Sequence, residues 1–300
     1  MDCVNNNHDL DPNDEPTAIQ ENLSMRIRRF VDLSVPLVNA ENGVAADPPG
    51  MIPQIEYMSH QAGAQEMAAM FPGLKPEELP DAEGWAREVL KVSTHNGTHM
   101  DAPWHFGSTM KSGERAKTID EVPLEWCFGA GVKLDFRAKP DGHVVSAIEL
   151  QTEFDRIGYA LRPFDIVLVN TSAGEAYGRS DYLDRGCGLG REATLWLLEC
   201  GVRVVGTDAW TWDAPFSFTR KRFAETRDPS IIWEGHIAGR DIGYCQLEKL
   251  ANLHLLPPVG FLVSCFPYKI KGASAGFTRA VALFEDEQGN ARSLRQTAAS

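Results

Sequence analysis

Two kinds of segment alternate through the middle of the chain. The runs 165–171 and 202–208 are almost continuously apolar and have the length of strands buried on both faces. Helical signals lie between them. Ser146 and Glu149 have the spacing of a capping box that opens a helix, and Glu192–Cys200 is a second helical stretch. Strand and helix therefore alternate here, which favours an α/β layer.

The two ends of the chain have strand patterns with little helix. Predicted strands lie at residues 26–37, 257–265 and 278–284. Together with the alternating middle they predict an α/β fold: a single domain, residues 25–300, with a central mixed β-sheet or barrel-like β core flanked by helices. Residues 1–24 contain six acidic residues and no Lys or Arg. They are predicted to form a mobile N-terminal arm.

One short stretch holds three of the eight histidines of the chain: His95, His99 and His105, with Asp101 between the last two. On a straight strand, His95 and His99 would lie roughly 13 Å apart at about 3.3 Å per residue, too far to share one ion. Pro103 and the poor helix formers before it disfavour a helix. A turn at Asn96-Gly97 is therefore predicted, folding His99 back toward His95.

This turn makes His95, His99 and Asp101 candidate metal ligands. His105 follows Ala102-Pro103, which we interpret as a stiff extended segment. It is predicted to stand beside the ion without binding it. The stretch contains no Cys, whereas structural zinc sites are usually rich in Cys. A catalytic metal is therefore favoured over a structural one.

The stretch from His95 to Phe106 resembles the His-x-Gly-Thr-His-x-Asp-x-Pro-x-His motif of the cyclase family, which includes bacterial kynurenine formamidases and isatin hydrolases. The resemblance covers about residues 28 to 285, including the Asp-Leu-Ser strand at 31–37 and the Gly-x-Asp segment at 206–208. It implies a β-rich α/β fold of the swivelling β/β/α type, metal-dependent hydrolysis of an amide or lactam, and a homo-oligomer, here a homodimer or homotetramer.

The resemblance also implies two further ligands, His236 and Glu248, whose spacing matches the late His and Glu of the formamidases. Glu248 is predicted to lie on a short helix. The five ligands are His, Asp and Glu without thiolate, a set that suits Zn or Mn. Five ligands are more than one tetrahedral ion can bind. Two ions bridged by a carboxylate, or one ion of higher coordination, both remain open.

Six other residues are candidates for the surroundings of the metal. Asp208 and Asp213 could each hold a ligand histidine by its free ring nitrogen, or could simply form turns. The aromatic residues could line a substrate pocket or belong to the core; they are Trp104, Trp210, Trp212 and Phe216.

The metal-binding pattern and the resemblance together imply a metal-dependent hydrolase of a C–N bond, and an aryl amide, formamide or lactam would suit both the aromatic residues and the family. The metal would lower the pKa of a bound water to about 7, and His105 would move the proton from the nucleophile to the leaving nitrogen. A metal-dependent lyase or cyclising dehydratase is one alternative, and a non-catalytic metal-dependent binding protein is another. The predicted substrate is a small aromatic or cyclic amide.

The net charge and composition of the chain argue against some classes of binding partner. The net charge of −13 argues against nucleic acid and anionic membranes. No apolar run has the length of a membrane span, and the acidic N-terminus is unlike a signal peptide. The six cysteines are scattered without a Cys-x-x-Cys pair, which favours free thiols and a cytoplasmic location.

Residues 60–85 precede the metal stretch and combine Met, Phe and Trp with three prolines. Such a segment suits a lid over the site or an interface with a partner subunit.

Overall fold

A computed structural model of the protein describes residues 27–39, 47–48 and 51–285. The chain divides into two units, residues 30–283 and a unit made of both chain ends. In the described part of the second unit, the Arg29 guanidinium lies 3.8 Å from the centre of the Phe284 ring, a cation–π contact. The predicted arm, residues 1–24, lies outside the described residues.

The described residues form thirteen strands: β1 Ile27–Asp32, β2 Gln54–Met58, β3 Arg87–Lys91, β4 His99–Asp101, β5 Phe128–Asp135, β6 Val144–Val145, β7 Ile166–Asn170, β8 Gly188–Leu189, β9 Val204–Thr207, β10 Cys245–Glu248, β11 Phe261–Ser264, β12 Ala275–Phe277 and β13 Val281–Glu285. Nine of them form one mixed sheet in the order β1-β13-β11-β5-β7-β9-β10-β4-β12. β5, β7, β9 and β10 are parallel neighbours, and antiparallel strands extend the sheet on both sides.

Six α-helices lie in the same part of the chain: α1 His60–Ala69, α2 Pro103–Phe106, α3 Ala147–Ile157, α4 Arg191–Glu199, α5 Phe216–Thr226 and α6 Glu234–Ala238. The predicted capping box opens α3: the Ser146 hydroxyl accepts from the backbone N–H of Glu149, whose carboxylate accepts from the backbone N–H of Ser146. α4 packs against both α3 and α6.

The parallel strands are buried, as their apolar runs predicted. Every residue of β7 and of β9 is buried, because apolar side chains of α3 and α4, such as Leu150, Phe154 and Leu197, pack with strand residues in one core cluster. The predicted α/β fold, a central mixed sheet flanked by helices, is confirmed.

Two local predictions about site residues are wrong. Glu248 ends strand β10 rather than lying on a helix, because β10 pairs with β4 on one side and β9 on the other. His105 lies on the short helix α2 rather than on an extended segment. Pro103 occupies the first position of this helix, where its missing N–H costs nothing.

Residues 60–85 lie between two strands that pair with each other. β2 and β3 form an antiparallel two-stranded sheet separate from the large one. Gly63 and Gly84 come so close inside this segment that a Cβ at Gly84 would lie 2.5 Å from the Gly63 carbonyl carbon. Apolar side chains of the hairpin are exposed, among them Tyr57, Val89 and Leu90.

None of the helices in the described ranges is both long and apolar enough to cross a membrane.

Candidate metal centre

A hydrogen-bonded turn, Ser93–Asn96, lies just before the predicted Asn96-Gly97 turn. The Asn96 backbone N–H donates to the Ser93 carbonyl at 3.0 Å, and the Asn96 side-chain oxygen accepts from the Ser93 backbone N–H at 2.7 Å. Gly97 follows with φ of +57°, a conformation that favours glycine. The chain therefore bends at residues 96–98 before it enters β4.

Strand pairing brings the distant Glu248 to this turn. β4 lies between β10 and β12, and the register places Glu248 directly opposite His99. Residues that face each other across antiparallel strands point to the same side of the sheet. Glu248 is thus adjacent to the histidine motif because it belongs to a strand.

Imidazole and carboxylate atoms converge at this point. The Asp101 Oδ1 lies 2.9 Å from His95 Nδ1 and 3.3 Å from His99 Nε2. His99 Nε2 is also 3.5 Å from Glu248 Oε2, and His105 Nε2 is 3.7 Å from Asp101 Oδ2. Two sets of three donor atoms each fall within 4.8 Å: His95, Asp101 and His105 form one, and His99, Asp101 and Glu248 the other. Asp101 is shared by both sets.

His236 approaches from helix α6. Its Nδ1 donates to the Asp213 carboxylate, which also accepts from the backbone N–H of Gly235 at 2.7 Å. This bond leaves the lone pair on Nε2, which lies 3.7 Å from Glu248 Oε1. A carboxylate that fixes a histidine by one nitrogen and frees the other is the usual arrangement behind a metal ligand.

The donor set fits a divalent cation. His99 Nδ1 donates to the Gly97 carbonyl at 2.9 Å, so His99 Nε2 carries a lone pair. Among the described residues, neither that nitrogen nor either Asp101 oxygen has a hydrogen-bond partner, although all three atoms are buried. Facing lone pairs in a buried site are costly unless a cation lies between them.

The pKa values of the two buried carboxylates shift in opposite directions. Burial raises the pKa of Glu248 well above its ordinary value, and the neighbouring Asp101 carboxylate raises it further. Burial opposes ionisation of Asp101 as well, but His99 and His95 hold the pKa of Asp101 well below its usual range. Burial also lowers the pKa of His105 to about 4. A bound cation would favour the ionised form of both carboxylates.

Aromatic rings enclose one side of the histidines. The Trp233 ring stacks on His236 with centroids 4.5 Å apart and an angle of 12°. Trp233 also lies edge-on to His105 at 5.2 Å. Sequence patterns did not single out Trp233, although a tryptophan three residues before a candidate ligand was a signal. Its backbone has φ of +63°, which no sequence pattern showed.

The six candidate neighbours fall in different places. Asp213 holds His236, whereas the Asp208 carboxylate accepts from Thr171 and Asn170 instead, because it follows β9 directly and lies beside the end of β7. Burial raises the pKa of Asp208 to about 7, against these hydrogen bonds.

Among the aromatic candidates, Trp212 touches the metal centre. Its backbone N–H donates to Glu248 Oε1 at 3.2 Å, and its buried ring donates to Thr194 Oγ1 at 3.0 Å. Trp210 packs edge-on against Phe216 at 5.7 Å. Trp104 is half-buried on α2, one residue before His105.

A buried ion pair between Lys249 and Asp47 contacts the histidine turn. The Lys249 ammonium donates to the Asp47 carboxylate and to the His95 carbonyl, the latter at 2.9 Å. Asp47 also accepts from the Asn96 side-chain amide at 2.9 Å. Lys249 is 1% exposed, and its φ is +56°. Sequence patterns did not indicate this pair, since the two residues lie far apart in the chain.

Replacing Asp213 with Asn is expected to weaken metal binding about 10–100-fold, because the amide cannot fix His236 as a carboxylate does. Asp208→Asn is the matched control, since Asp208 contacts Thr171 and Asn170. Competition with a chelator measures both affinities. Equal losses in the two variants would contradict the role assigned to Asp213.

Comparison with known proteins agrees with this geometry. The family model described as putative cyclase matches residues 31–214, more than half of the chain. A kynurenine formamidase from Salinibacter ruber (strain DSM 13855 / M31) is 29% identical over 193 residues, which cover 64% of this chain and 77% of that protein.

Solved structures share the fold. Isatin hydrolase A from Ralstonia solanacearum has a TM-score of 0.67 at 23% identity, covering 90% of this chain and 98% of that one. Isatin hydrolase A from Labrenzia aggregata, bound to benzyl benzoate, has a TM-score of 0.63 at 24% identity, and the match covers 86% of this chain and 94% of that one. The fold, the histidine motif and the matched family model together place this chain in the cyclase family.

Proposed function

We propose that the chain is a metal-dependent hydrolase of a C–N bond in an aryl amide, formamide or lactam. The observation that carries this proposal is the buried group of unpartnered donor atoms on His99 and Asp101, facing Glu248. The similarity to a kynurenine formamidase and to isatin hydrolases supports the class of substrate. The sequence prediction of an amidohydrolase acting on non-peptide C–N bonds agrees with these relatives.

Five residues would hold one or two divalent ions, Zn or Mn: His95, His99, Asp101, His236 and Glu248. When bound, such an ion acts as a Lewis acid that acidifies water and polarises a carbonyl oxygen. Asp101 belongs to both sets of donor atoms, so it would take part in holding either one ion of higher coordination or two ions.

His105 is the residue proposed to move protons. It is half-buried, and its Nε2 is the farthest from Asp101 of the three histidines of the motif, at 3.7 Å. Its lowered pKa keeps the ring neutral at pH 7, so Nε2 can accept a proton from the attacking water and return it to the leaving nitrogen.

Trp233 is proposed to orient the substrate. Its ring stands over His236 and beside His105, within reach of a molecule that contacts both histidines. The indole face opposite His236 would bind a flat aromatic ring by offset stacking. This argument favours an aryl amide over an aliphatic one. The predicted cytoplasmic location and the homodimer or homotetramer remain predictions.

Exhaustive chelation is expected to abolish hydrolysis, and Zn or Mn is expected to restore it, because all five ligands are His or carboxylate. The substrates are N-formyl aryl amines, isatin-like lactams and cyclic imides. Hydrolysis in H₂¹⁸O should place one labelled oxygen in the product, whereas a lyase or dehydratase would incorporate none. Full activity of protein shown to be metal-free by elemental analysis would contradict the proposal.

A further inference from the structure

A serine from a distant part of the chain contacts the ring of His95. The Ser274 hydroxyl oxygen lies 3.2 Å from His95 Nε2. Ser274 immediately precedes β12, and its carbonyl accepts from the backbone N–H of Ala102 at 2.8 Å. At the next position, Ala275 pairs with Asp101 in β4. The pairing of these two strands therefore fixes Ser274 relative to the strand that carries Asp101.

The two nitrogens of the His95 ring face different groups. Nδ1 lies 2.9 Å from Asp101 Oδ1, whereas Nε2 faces the Ser274 hydroxyl. The other two histidines of the candidate ligand set have the opposite arrangement. His99 and His236 each donate from Nδ1 to an oxygen atom of the protein, which leaves the lone pair on Nε2. His95 is thus the candidate ligand whose Nδ1 faces the other donor atoms.

The position of the His95 ring proton depends on these neighbours, because a neutral imidazole has one N–H. Asp101 Oδ1 also lies 3.3 Å from His99 Nε2, which carries a lone pair. A cation between these two atoms would attract the lone pair of His95 Nδ1 as well, since Nδ1 is even closer to the same oxygen. The proton of the His95 ring must then be on Nε2, where the Ser274 oxygen can accept it.

The distances around Asp101 Oδ1 suit atoms that share one ion. Two atoms that each lie about 2.0–2.1 Å from an ion are roughly 2.8–3.4 Å apart if the angle between them is about 90–110°. Without an ion, the 2.9 Å distance also suits a hydrogen bond from His95 Nδ1 to Asp101. The Ser274 hydroxyl then donates to Nε2. Because a hydroxyl both donates and accepts, serine can hold the ring in either form.

The histidine turn fixes the backbone of His95 but not its side chain. The His95 carbonyl accepts from Lys249 Nζ at 2.9 Å, and its N–H donates to Ser93 Oγ at 3.3 Å. Neither bond restrains rotation of the ring, which is 18% exposed. The ring of His105 packs against it, with centroids 4.3 Å apart. Ser274 adds a hydrogen-bonding partner at the ring nitrogen that faces away from Asp101.

We propose that Ser274 is a positioning residue of the metal centre, because its hydroxyl holds the His95 ring so that Nδ1 binds the ion. In the loaded protein, His95 Nε2–H donates to Ser274 Oγ. Ser274 acts through His95 and touches neither the ion nor the substrate. This inference rests on the metal centre of the proposed function and adds how one of its ligands is held.

The first test is ¹⁵N NMR of the wild-type protein loaded with Zn²⁺. Long-range ¹H–¹⁵N spectra of histidine-labelled protein, after sequential assignment, distinguish a ring protonated at Nε2 from one protonated at Nδ1. We expect Nε2–H at His95, and Nδ1–H at His99 and His236. A His95 ring that carries its proton on Nδ1 in the Zn²⁺-loaded protein would overturn the proposal. This test requires no variant.

The second test compares two variants whose side chains have nearly the same shape. Thr and Val differ by a hydroxyl against a methyl group. Ser274→Thr should keep the Zn²⁺ affinity within about threefold, whereas Ser274→Val should lose about 10–100-fold, the usual cost of removing the partner of a metal-binding histidine. Ser93→Ala removes a hydroxyl that bonds the backbone of His95 instead of its ring, and it should cost less than Ser274→Val. Competition with a chelator measures all four affinities, including that of the wild type.

Equal Zn²⁺ affinities of Ser274→Thr and Ser274→Val, both shown to be folded by circular dichroism, would contradict the role of the hydroxyl. An equal loss in Ser93→Ala would assign the effect to the turn rather than to the ring. Wild-type protein that binds no Zn²⁺ would overturn the metal centre and the proposed function together. Wild-type protein that binds Zn²⁺ as expected but hydrolyses no amide would overturn the proposed function alone, because neither readout depends on hydrolysis.

Discussion

Asp101→Ala and His99→Ala are expected to empty the metal centre and to reduce hydrolysis to background. Asp101 should have the larger effect, since its carboxylate faces His95, His99 and His105 at once. His105→Ala is expected to retain the metal and to lower kcat by about 10²–10⁴, the usual contribution of a positioned acid–base group. Elemental analysis after gel filtration measures the bound metal, and steady-state kinetics on one aryl amide measure kcat. Together they distinguish loss of the metal from loss of proton transfer.

His60→Ala is the control for loss of an imidazole, because His60 begins α1 and is exposed. If His105→Ala also loses the metal, His105 is a ligand, and the proton must be moved by another group. If Asp101→Ala keeps both metal and activity, the centre is not built around the shared carboxylate.

Lys249→Met is expected to destabilise the fold by about 3–5 kcal/mol, since it leaves the buried Asp47 carboxylate without its cation. The double variant Lys249→Met/Asp47→Asn should recover part of this loss, because asparagine carries no charge and can still accept from the Asn96 amide. Urea unfolding at one fixed metal concentration measures the three free energies.

Arg87→Met is the matched control for removal of a cation from an ion pair. The Arg87 and Glu66 side chains are 54% and 37% exposed, and exposed pairs contribute about 0–1 kcal/mol. A loss in Lys249→Met no larger than in Arg87→Met would show that the buried pair does not stabilise the turn that carries His95.

Local sequence patterns predicted the parts of the fold that depend on interactions between residues close together in the sequence. The capping box at Ser146, the buried strand 166–170 and the turn before His99 all lie where expected. The histidine motif also placed three candidate metal ligands in one sequence stretch, and resemblance to the cyclase family added the candidates His236 and Glu248.

The features that local patterns did not predict depend chiefly on contacts between residues far apart in the sequence. The short apolar spacing around Glu248 suits a helix or a strand equally, and pairing with β4 and β9 selects the strand. Lys249 and Asp47 meet only in the folded chain, so neither shows a local pattern. Trp233 reaches the histidines through a positive φ, which is rare for its residue type and has no sequence signature.

The position of β4 between β10 and β12 has a consequence for the order of events during synthesis. Asp101 leaves the ribosome before its partner Gln246, and the 143 residues between Asp101 and Cys245 take roughly 7–30 s to synthesise at about 5–20 residues per second. In that interval the histidine turn has neither neighbouring strand, and Glu248 does not yet exist. A nascent chain halted before Cys245 contains His95, Asp101 and His105 but lacks Glu248, so the proposed ligand set is completed only late in synthesis.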